Sequence, residues 1–548
     1  MSERNCIPGF IRLTFMALAG TAAGLCGCWQ WAQAHARGTP ATAAATPAAV
    51  AGRAPVPGPQ RRPNIIVILA DDLGYADISA YGIDRIHTPN IDRIGLQGVR
   101  FTDGYATAPV CGPSRAGLVT GRDPERFGFE YNNGPAQRDL AQGLGLAVGE
   151  LTIGQLLQRS GYHTGLIGKW HLGSREEYYP MKRGFDEFVG FLPGESSYID
   201  PDVPGVHVSY GPLGDAAAHL SSPGAAAAIT DVDAGLGRRA ARISDSFRRH
   251  ESNQIVEGAD HRVVHNEKQY LTDFFGDRAV QFIRRNSATG RPFFLYLAFN
   301  APHAPHMATA KYYDRFPQIK DHQMRVYAAM IAALDDQVGR VLDAVDAAGQ
   351  GANTLIFFAS DNGCAAYFPG LCSCTPLRGG KLSYYEGGIR VPFMARWPGH
   401  IPAGLVYRQV VSLLDVLPTS VAAAGGTLPG DRIYDGVDLM PYLAGARTGV
   451  PHDMLAWRAL PLYSIRKGDW KLWESVDDRT GRYGKYKLLF NLKDDLNETT
   501  NLADRYPEKV RQLEVLVHQW AQMMIDPKWP TRRALEYQVC GTPFTLPI

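Results

Sequence analysis

Three stretches of the chain are apolar at almost every position and end abruptly on polar residues. Ile65-Ile66-Val67-Ile68-Leu69-Ala70 runs into Asp71-Asp72-Leu73-Gly74, Phe293 to Phe299 into Asn300-Ala301-Pro302-His303, and Thr354 to Ala359 into Ser360-Asp361-Asn362-Gly363. Unbroken apolar runs of strand length predict strands buried on both faces of a parallel sheet. Between them Tyr327, Met330, Ile331, Leu334, Val338, Val341, Leu342 and Val345 recur at three- and four-residue intervals, which predicts an amphipathic helix. Strands alternating with helices make βαβ units, and open sheets of that kind bind ligands beyond the carboxyl ends of their strands. The pattern therefore predicts that Asp71, Asp72, His303, Asp361 and Asn362 surround one site, although they are far apart in the chain.

After about Pro398 the pattern changes. Leu455-Ala456-Trp457, Tyr463-Ser464-Ile465, Trp470 to Trp473 and Lys487 to Phe490 are short strand-like runs separated by turns, followed by a helical pattern with Pro507 in its first turn and Val510, Leu513, Val517 and Trp520 on one side. This predicts a main unit over residues 63–398 and a smaller α+β subdomain, an antiparallel sheet plus a helix, over 399–548. Within the main unit, about 200–265 is rich in Gly, Ala and Ser, then basic and polar, without a clear period. It reads as an inserted surface loop, with covering the site and mere decoration equally open.

The 548 residues carry a net charge of +2, which provides no global field for nucleic acid; an anionic substrate would need a local basic cluster. Residues 1–36 resemble an export signal: Arg4 and Arg12 precede an apolar core from Leu13 to Leu25 that is short for a membrane span. Ala34-His35-Ala36 fits ordinary secretion. Leu25-Cys26-Gly27-Cys28 fits a lipoprotein signal that would leave Cys28 lipidated at a membrane, and an Ala-, Thr- and Pro-rich linker over 37–62 suits a tether. Expected locations are the periplasm, a lipid-anchored state or, alternatively, secretion. Beyond the leader stand Cys111, Cys364, Cys372, Cys374 and Cys540; if Cys111 is chemically converted, four are left for one or two disulfides of undetermined connectivity.

Asp71, Asp72, Asp361 and Asn362 are hard oxygen donors, suited to Ca²⁺ or Mg²⁺. Three carboxylates gathered without a cation would repel one another. Cys111 lies in a Pro-flanked loop, and Ser114-Arg115-Ala116-Gly117-Leu118 reads as the first turns of a helix. The free backbone donors of a helix start suit an anionic nucleophile or substrate, and Arg115 lies one turn along. Gly168-Lys169-Trp170-His171, Pro302-His303-Ala304-Pro305 and Arg378-Gly379-Gly380-Lys381 supply cationic and imidazole groups that together would line a pocket for an anionic ester.

The order of Asp71-Asp72-Leu73-Gly74, Cys111-Gly112-Pro113-Ser114-Arg115, Gly168-Lys169-Trp170-His171, Pro302-His303, Asp361-Asn362-Gly363 and Lys381 with Glu386-Gly387-Gly388 resembles the type I, formylglycine-dependent sulfatases, in the branch of arylsulfatase A and N-acetylgalactosamine-6-sulfatase. The resemblance covers about Arg62 to Tyr506. It implies an alkaline-phosphatase-like fold, a mostly parallel sheet flanked by helices, with residues 63–398 as the catalytic domain. It also implies Cys111 oxidised to formylglycine by a maturation enzyme, and Ca²⁺ (or Mg²⁺) held by Asp71, Asp72, Asp361, Asn362 and the modified Cys111. In the roles it implies, Asp361 helps activate the nucleophile, Arg115 and Lys169 stabilise the hydrated aldehyde, and Lys381 neutralises sulfate oxygens. His303, with Lys381, protonates the leaving alcohol, and His171 is the base for sulfate elimination. Ser196 and Ser197 are candidates for a further contact. The expected substrate is a small-molecule or saccharide sulfate ester, with no nucleic-acid partner and membrane contact only through the N-terminal anchor. The alternative is a phosphonate or phosphate monoester hydrolase of the same superfamily. A catalytically dead carbohydrate-binding protein is a third reading, whose mark would be lost site residues, and none is lost.

Overall fold

The computed structural model describes residues 61–531, apart from 83–85, 135, 210–253, 367–369 and 477–483, together with the backbone of a hairpin at 534–539 and 542–547. The export signal, nearly all of the linker, Cys540 and the middle of the 200–265 insert lie outside the described residues.

The three apolar runs are strands. Asn64–Ala70 lies between Thr354–Ser360 and Phe293–Ala298 and pairs with both in parallel. Phe293–Ala298 is followed outward by His163–Lys169 and then Glu187–Phe191, also parallel. These five strands are the centre of a ten-stranded sheet. One edge is extended by the antiparallel Phe393–Arg396, then Val99–Phe101 and Leu405–Tyr407, and the other by the short strands Val256–Glu257 and Arg262–Val263. The strand Leu405–Tyr407 thus joins the large sheet from beyond residue 398. Both described flanks of the 200–265 insert carry strands: Val206–Ser209 pairs with His306–Thr309, and Val256–Glu257 pairs with Glu187–Phe191.

Strand geometry sends alternate side chains to opposite faces, and both faces here are apolar. Ile65, Val67 and Leu69 join one core; Ile66, Ile68 and Ala70 join the other. Helices Pro89–Leu96, Leu271–Ser287 and His322–Ala347 cover the second face, each contributing its apolar stripe. Cys111–Thr120, Ile153–Arg159 and Val416–Ala423 cover the first. This two-sided layering is the expected alkaline-phosphatase-like arrangement.

The four C-terminal runs form an antiparallel sheet, Met454–Ala459, Leu462–Lys467, Trp470–Ser475 and Tyr486–Asn491. Trp457, Leu462, Trp473 and Phe490 point from it into the first core, while Ile465, Leu472 and Leu489 pack on Val510, Leu513, Val517 and Trp520 of the helix Pro507–Ala521. The small sheet is therefore clamped between its own helix and the main body.

One polar group inside the helical layer is structural. Asp335, buried in the middle of His322–Ala347, accepts hydrogen bonds from the amides of Asn90 (3.0 Å) and Ile91 (2.8 Å), capping a helix whose own N-cap, Thr88, makes no side-chain cap bond. Burial raises its carboxyl pKa to about 6, against the opposing pull of those hydrogen bonds. Asp335→Ala leaves these amide donors unsatisfied and is expected to cost about 2–4 kcal/mol of folding free energy. Chemical denaturation measures this, and turnover per folded molecule should be unchanged.

Candidate active site

The register of the central strands brings the site together. Ala70 pairs with Ser360, so Asp71 and Asp361 emerge side by side at the carboxyl edge, where the Asp361 amide donates to the Ala70 carbonyl at 3.1 Å. The Asp71 amide donates to the Ala301 carbonyl at 3.1 Å, tying in the loop that carries His303. Lys169 is the last residue of the neighbouring strand, and Cys111 is the first residue of the helix Cys111–Thr120. All of the site residues expected from the sequence meet here: Asp71, Asp72, Cys111, Arg115, Lys169, His171, His303, Asp361, Asn362 and Lys381.

Cys111 Sγ is 3.5 Å from Asp71 Oδ1 and 3.9 Å from Asp72 Oδ1. The acidic groups are paired with fixed cations. Lys169 Nζ is 2.6 Å from Asp71 Oδ2, Lys381 Nζ is 2.8 Å from Asp72 Oδ2, and Arg115 Nε is 2.9 Å from Asp361 Oδ2. The guanidinium also stands 3.6 Å from Asp71 and donates to the Lys169 carbonyl at 3.3 Å. His303 Nε2 lies 3.6 Å from Asp72 Oδ2, with its Nδ1 at 2.5 Å from the Ala304 carbonyl.

Burial and these charges together set the protonation states. Burial opposes ionisation of Asp71, but Lys169, His303, Arg115 and Lys381 together outweigh it and hold the carboxyl well below the usual range. Asp361 is driven the other way, to about 7, by burial and the Asp71 charge, with Arg115 and Lys169 only partly offsetting them. Burial, reinforced by Lys169 and Arg115, pushes His171 well below an ordinary histidine, so it is neutral. Burial also drives the Cys111 thiol up despite Lys169 and Lys381; a protonated thiol is a poor nucleophile.

The donor set fits a hard divalent cation. Ligand atoms of Asp71, Asp72, Cys111 and His303 all lie within 4.8 Å of one another. Asp361 Oδ1 accepts from the Asp72 amide at 3.2 Å. Asn362 gives its Nδ2 to Asp72 Oδ1 at 2.7 Å, and its Oδ1 is buried without a hydrogen-bond partner among the described residues. An orphaned amide oxygen beside three buried carboxylates is the chemistry that Ca²⁺ or Mg²⁺ satisfies.

Several supporting residues carry no signal in the linear sequence. Val110 cannot cap the Cys111 helix with its side chain; Asn132 does so from another loop, its Oδ1 accepting the Gly112 amide at 2.8 Å. Gly194 makes room for His171, since a Cβ there would lie 2.8 Å from the imidazole Nε2. His171 itself has a φ of 60°, in the left-handed region. The loop bearing Lys381 is held from beneath by the C-terminal sheet. Lys471, fully buried, is 2.9 Å from both Glu386 and Glu498, and Glu498 accepts the Glu386 amide at 2.6 Å. Burial opposes ionisation of Glu386, but Lys471, Arg390 and Arg466 bring its pKa down to about 2. Beside this loop, Cys364 and Cys372 form a disulfide and Cys374 remains a buried thiol.

A family model described as Sulfatase matches residues 63–426, and the chain belongs to the sulfatase family. It is a sulfuric ester hydrolase. N-acetylgalactosamine-6-sulfatase of Sus scrofa is 33% identical over 510 residues, spanning 86% of this chain and 88% of that protein. Arylsulfatase G of Rattus norvegicus is 33% identical over 490 residues, spanning 85% and 87%. Among solved structures, that of Ps i-CgsB in complex with k-i-k-neocarrahexaose superposes with a TM-score of 0.71 at 31% identity, covering 85% of this chain and 94% of that one.

Arg115→Met strips the guanidinium from two buried carboxylates and is expected to cost about 3–5 kcal/mol. Denaturant midpoints measured with and without added Ca²⁺ would show the loss, which should be larger without the ion.

Proposed function

We propose that the chain hydrolyses sulfate monoesters of saccharides, using a formylglycine made from Cys111 and a Ca²⁺ ion held by Asp71, Asp72, Asp361, Asn362 and the modified Cys111 side chain. The observation that carries this reading is the position of Cys111. It sits at a helix start, buried against Asp71 and Asp72, with Lys169, Lys381 and Arg115 converging on the same carboxylates. The saccharide class is supported by the names of the relatives, one acting on an N-acetylgalactosamine sulfate and one bound to a neocarrahexaose.

As a hydrate, the aldehyde supplies two hydroxyls on one carbon, one to attack sulfur and one whose deprotonation expels sulfate, so water need not attack sulfur. Bound calcium supplies positive charge for the sulfate oxygens. The remaining work falls to side chains. Asp361 accepts the proton of the attacking hydroxyl, its carboxylate being fixed at the same sheet edge by Arg115 and the Asp72 amide. Arg115 and Lys169 hold the hydrate and its charge, and Lys381 reaches the sulfate. His303 with Lys381 donates a proton to the departing alcohol. His171, kept neutral by burial and by Lys169 and Arg115, takes the proton from the second hydroxyl. Export is part of the same reading: the N-terminal signal delivers the enzyme to the periplasm or to a membrane through a lipid on Cys28, with secretion as the alternative.

Mass spectrometry of the tryptic peptide containing Cys111, together with turnover of 4-nitrophenyl sulfate, phosphate and phenylphosphonate, tests the proposal. The expected result is an aldehyde at position 111, sulfate as the preferred ester, and a loss of about 10³-fold or more in Cys111→Ala. An unmodified thiol in fully active protein, or preference for a phosphorus ester, refutes it.

A further inference from the structure

We propose that Tyr198 is a positioning residue for His303, holding the turn from Asn300 to His303 so that the imidazole faces the leaving oxygen of the ester. The inference rests on the function proposed above. His303 follows the strand Phe293–Ala298 by only a few residues, and the turn is closed by the His303 amide donating to the Asn300 carbonyl at 2.9 Å. Tyr198, fully buried, reaches into this turn from a separate segment. Its hydroxyl lies 2.5 Å from the Asn300 carbonyl and 2.9 Å from the His303 carbonyl.

The ring is fixed independently of that contact. The Leu271 amide donates to the Tyr198 carbonyl at 2.7 Å, anchoring it to the start of the helix Leu271–Ser287. Tyr198 also stacks on Tyr270, with ring centroids 5.7 Å apart. Tyr270 in turn donates to the Met307 carbonyl at 2.8 Å, so two stacked tyrosines grip the His303 loop near both of its ends. Burial keeps the Tyr198 hydroxyl protonated far above any working pH, and it stays a donor.

The loop is also tied at Ala301, whose carbonyl accepts the Asp71 amide at 3.1 Å, and at Asn300, whose Nδ2 is 3.4 Å from the Ser196 carbonyl, but neither contact reaches His303 itself. His303 is bonded through Nδ1 to the next carbonyl in its own chain, and its Nε2 approaches Asp72 at 3.6 Å, beyond direct hydrogen-bond length. A proton donor must meet the departing oxygen within hydrogen-bond reach. A turn whose carbonyls lose their common donor can shift by enough to spoil that approach while the rest of the site stays intact.

Tyr198→Phe keeps the packing and removes one hydroxyl. The test compares full-length wild type, Tyr198→Phe and His303→Gln on two esters, 4-nitrophenyl sulfate, whose leaving group needs little protonation, and phenyl sulfate, whose leaving group needs much more. The ratio of the two kcat/KM values, measured on one preparation, is independent of the folded or matured fraction. For Tyr198→Phe, phenyl sulfate turnover is expected to fall by about tenfold or more while 4-nitrophenyl sulfate falls by less than about threefold, with His303→Gln showing the same signature more strongly. A uniform loss on both esters in Tyr198→Phe, with the ratio shifted in His303→Gln, overturns the positioning role and leaves Tyr198 a packing residue. An unshifted ratio in His303→Gln overturns the proton-donor role of His303 and this inference with it.

Discussion

Like charges buried together must be balanced, and in this protein that requirement organises the carboxyl edge of the sheet, where the candidate active site lies. Asp71, Asp72 and Asp361 leave the ends of adjacent central strands with almost no exposure to water. Their mutual repulsion is offset by Lys169, Lys381 and Arg115, each delivered by a different element: a strand end, a glycine-flexed loop and the first turns of a helix. Removing any one cation leaves a buried carboxylate uncompensated, which is costlier than never having built the pair. The constraint therefore locks the register of the parallel strands, the seating of the Cys111 helix and the path of the Lys381 loop to one another.

Charge balance also explains the second tier of structure. The loop carrying Lys381 contains Glu386, whose buried carboxylate needs its own partner, and finds it in Lys471 of the C-terminal sheet. The small sheet is thus more than a cap. Its Trp457 and Trp473 face fills the first core, and its Lys471 stands beneath the loop that brings Lys381 to Asp72. Gly388 allows this loop to fold tightly, since a Cβ there would lie 2.0 Å from the Ser383 carbonyl.

How far the architecture could be read from the chain depended on how much information each element holds locally. Asn64–Ala70, Phe293–Ala298 and Thr354–Ser360 are uniformly apolar and end in polar clusters, so both the strands and the convergence of their termini were legible. His163–Lys169 was not, because Gly165 and Gly168 interrupt its apolar run. Those glycines answer to neighbours distant in sequence, since a Cβ on Gly165 would lie 2.4 Å from Phe282. Glu187–Phe191 is short and begins on a charge. The flanks of the 200–265 insert showed no period because Val206–Ser209 and Val256–Glu257 are only a few residues long. Side chains that support others were the least visible: Asn132 caps a helix twenty residues upstream, and Tyr198 bonds carbonyls more than a hundred residues away. Neither lies in a motif, because their work depends on distance in space alone.

The balance of charges at the sheet edge is the central claim, and the divalent cation proposed for the same carboxylates is the part of it open to direct measurement. Calorimetric titration of chelator-treated protein with Ca²⁺ tests it most directly. The account predicts one ion per chain, with binding abolished in Asp72→Asn and in Asp361→Asn. Failure of the wild-type protein to bind Ca²⁺ or Mg²⁺, or undiminished binding in both variants, would contradict it.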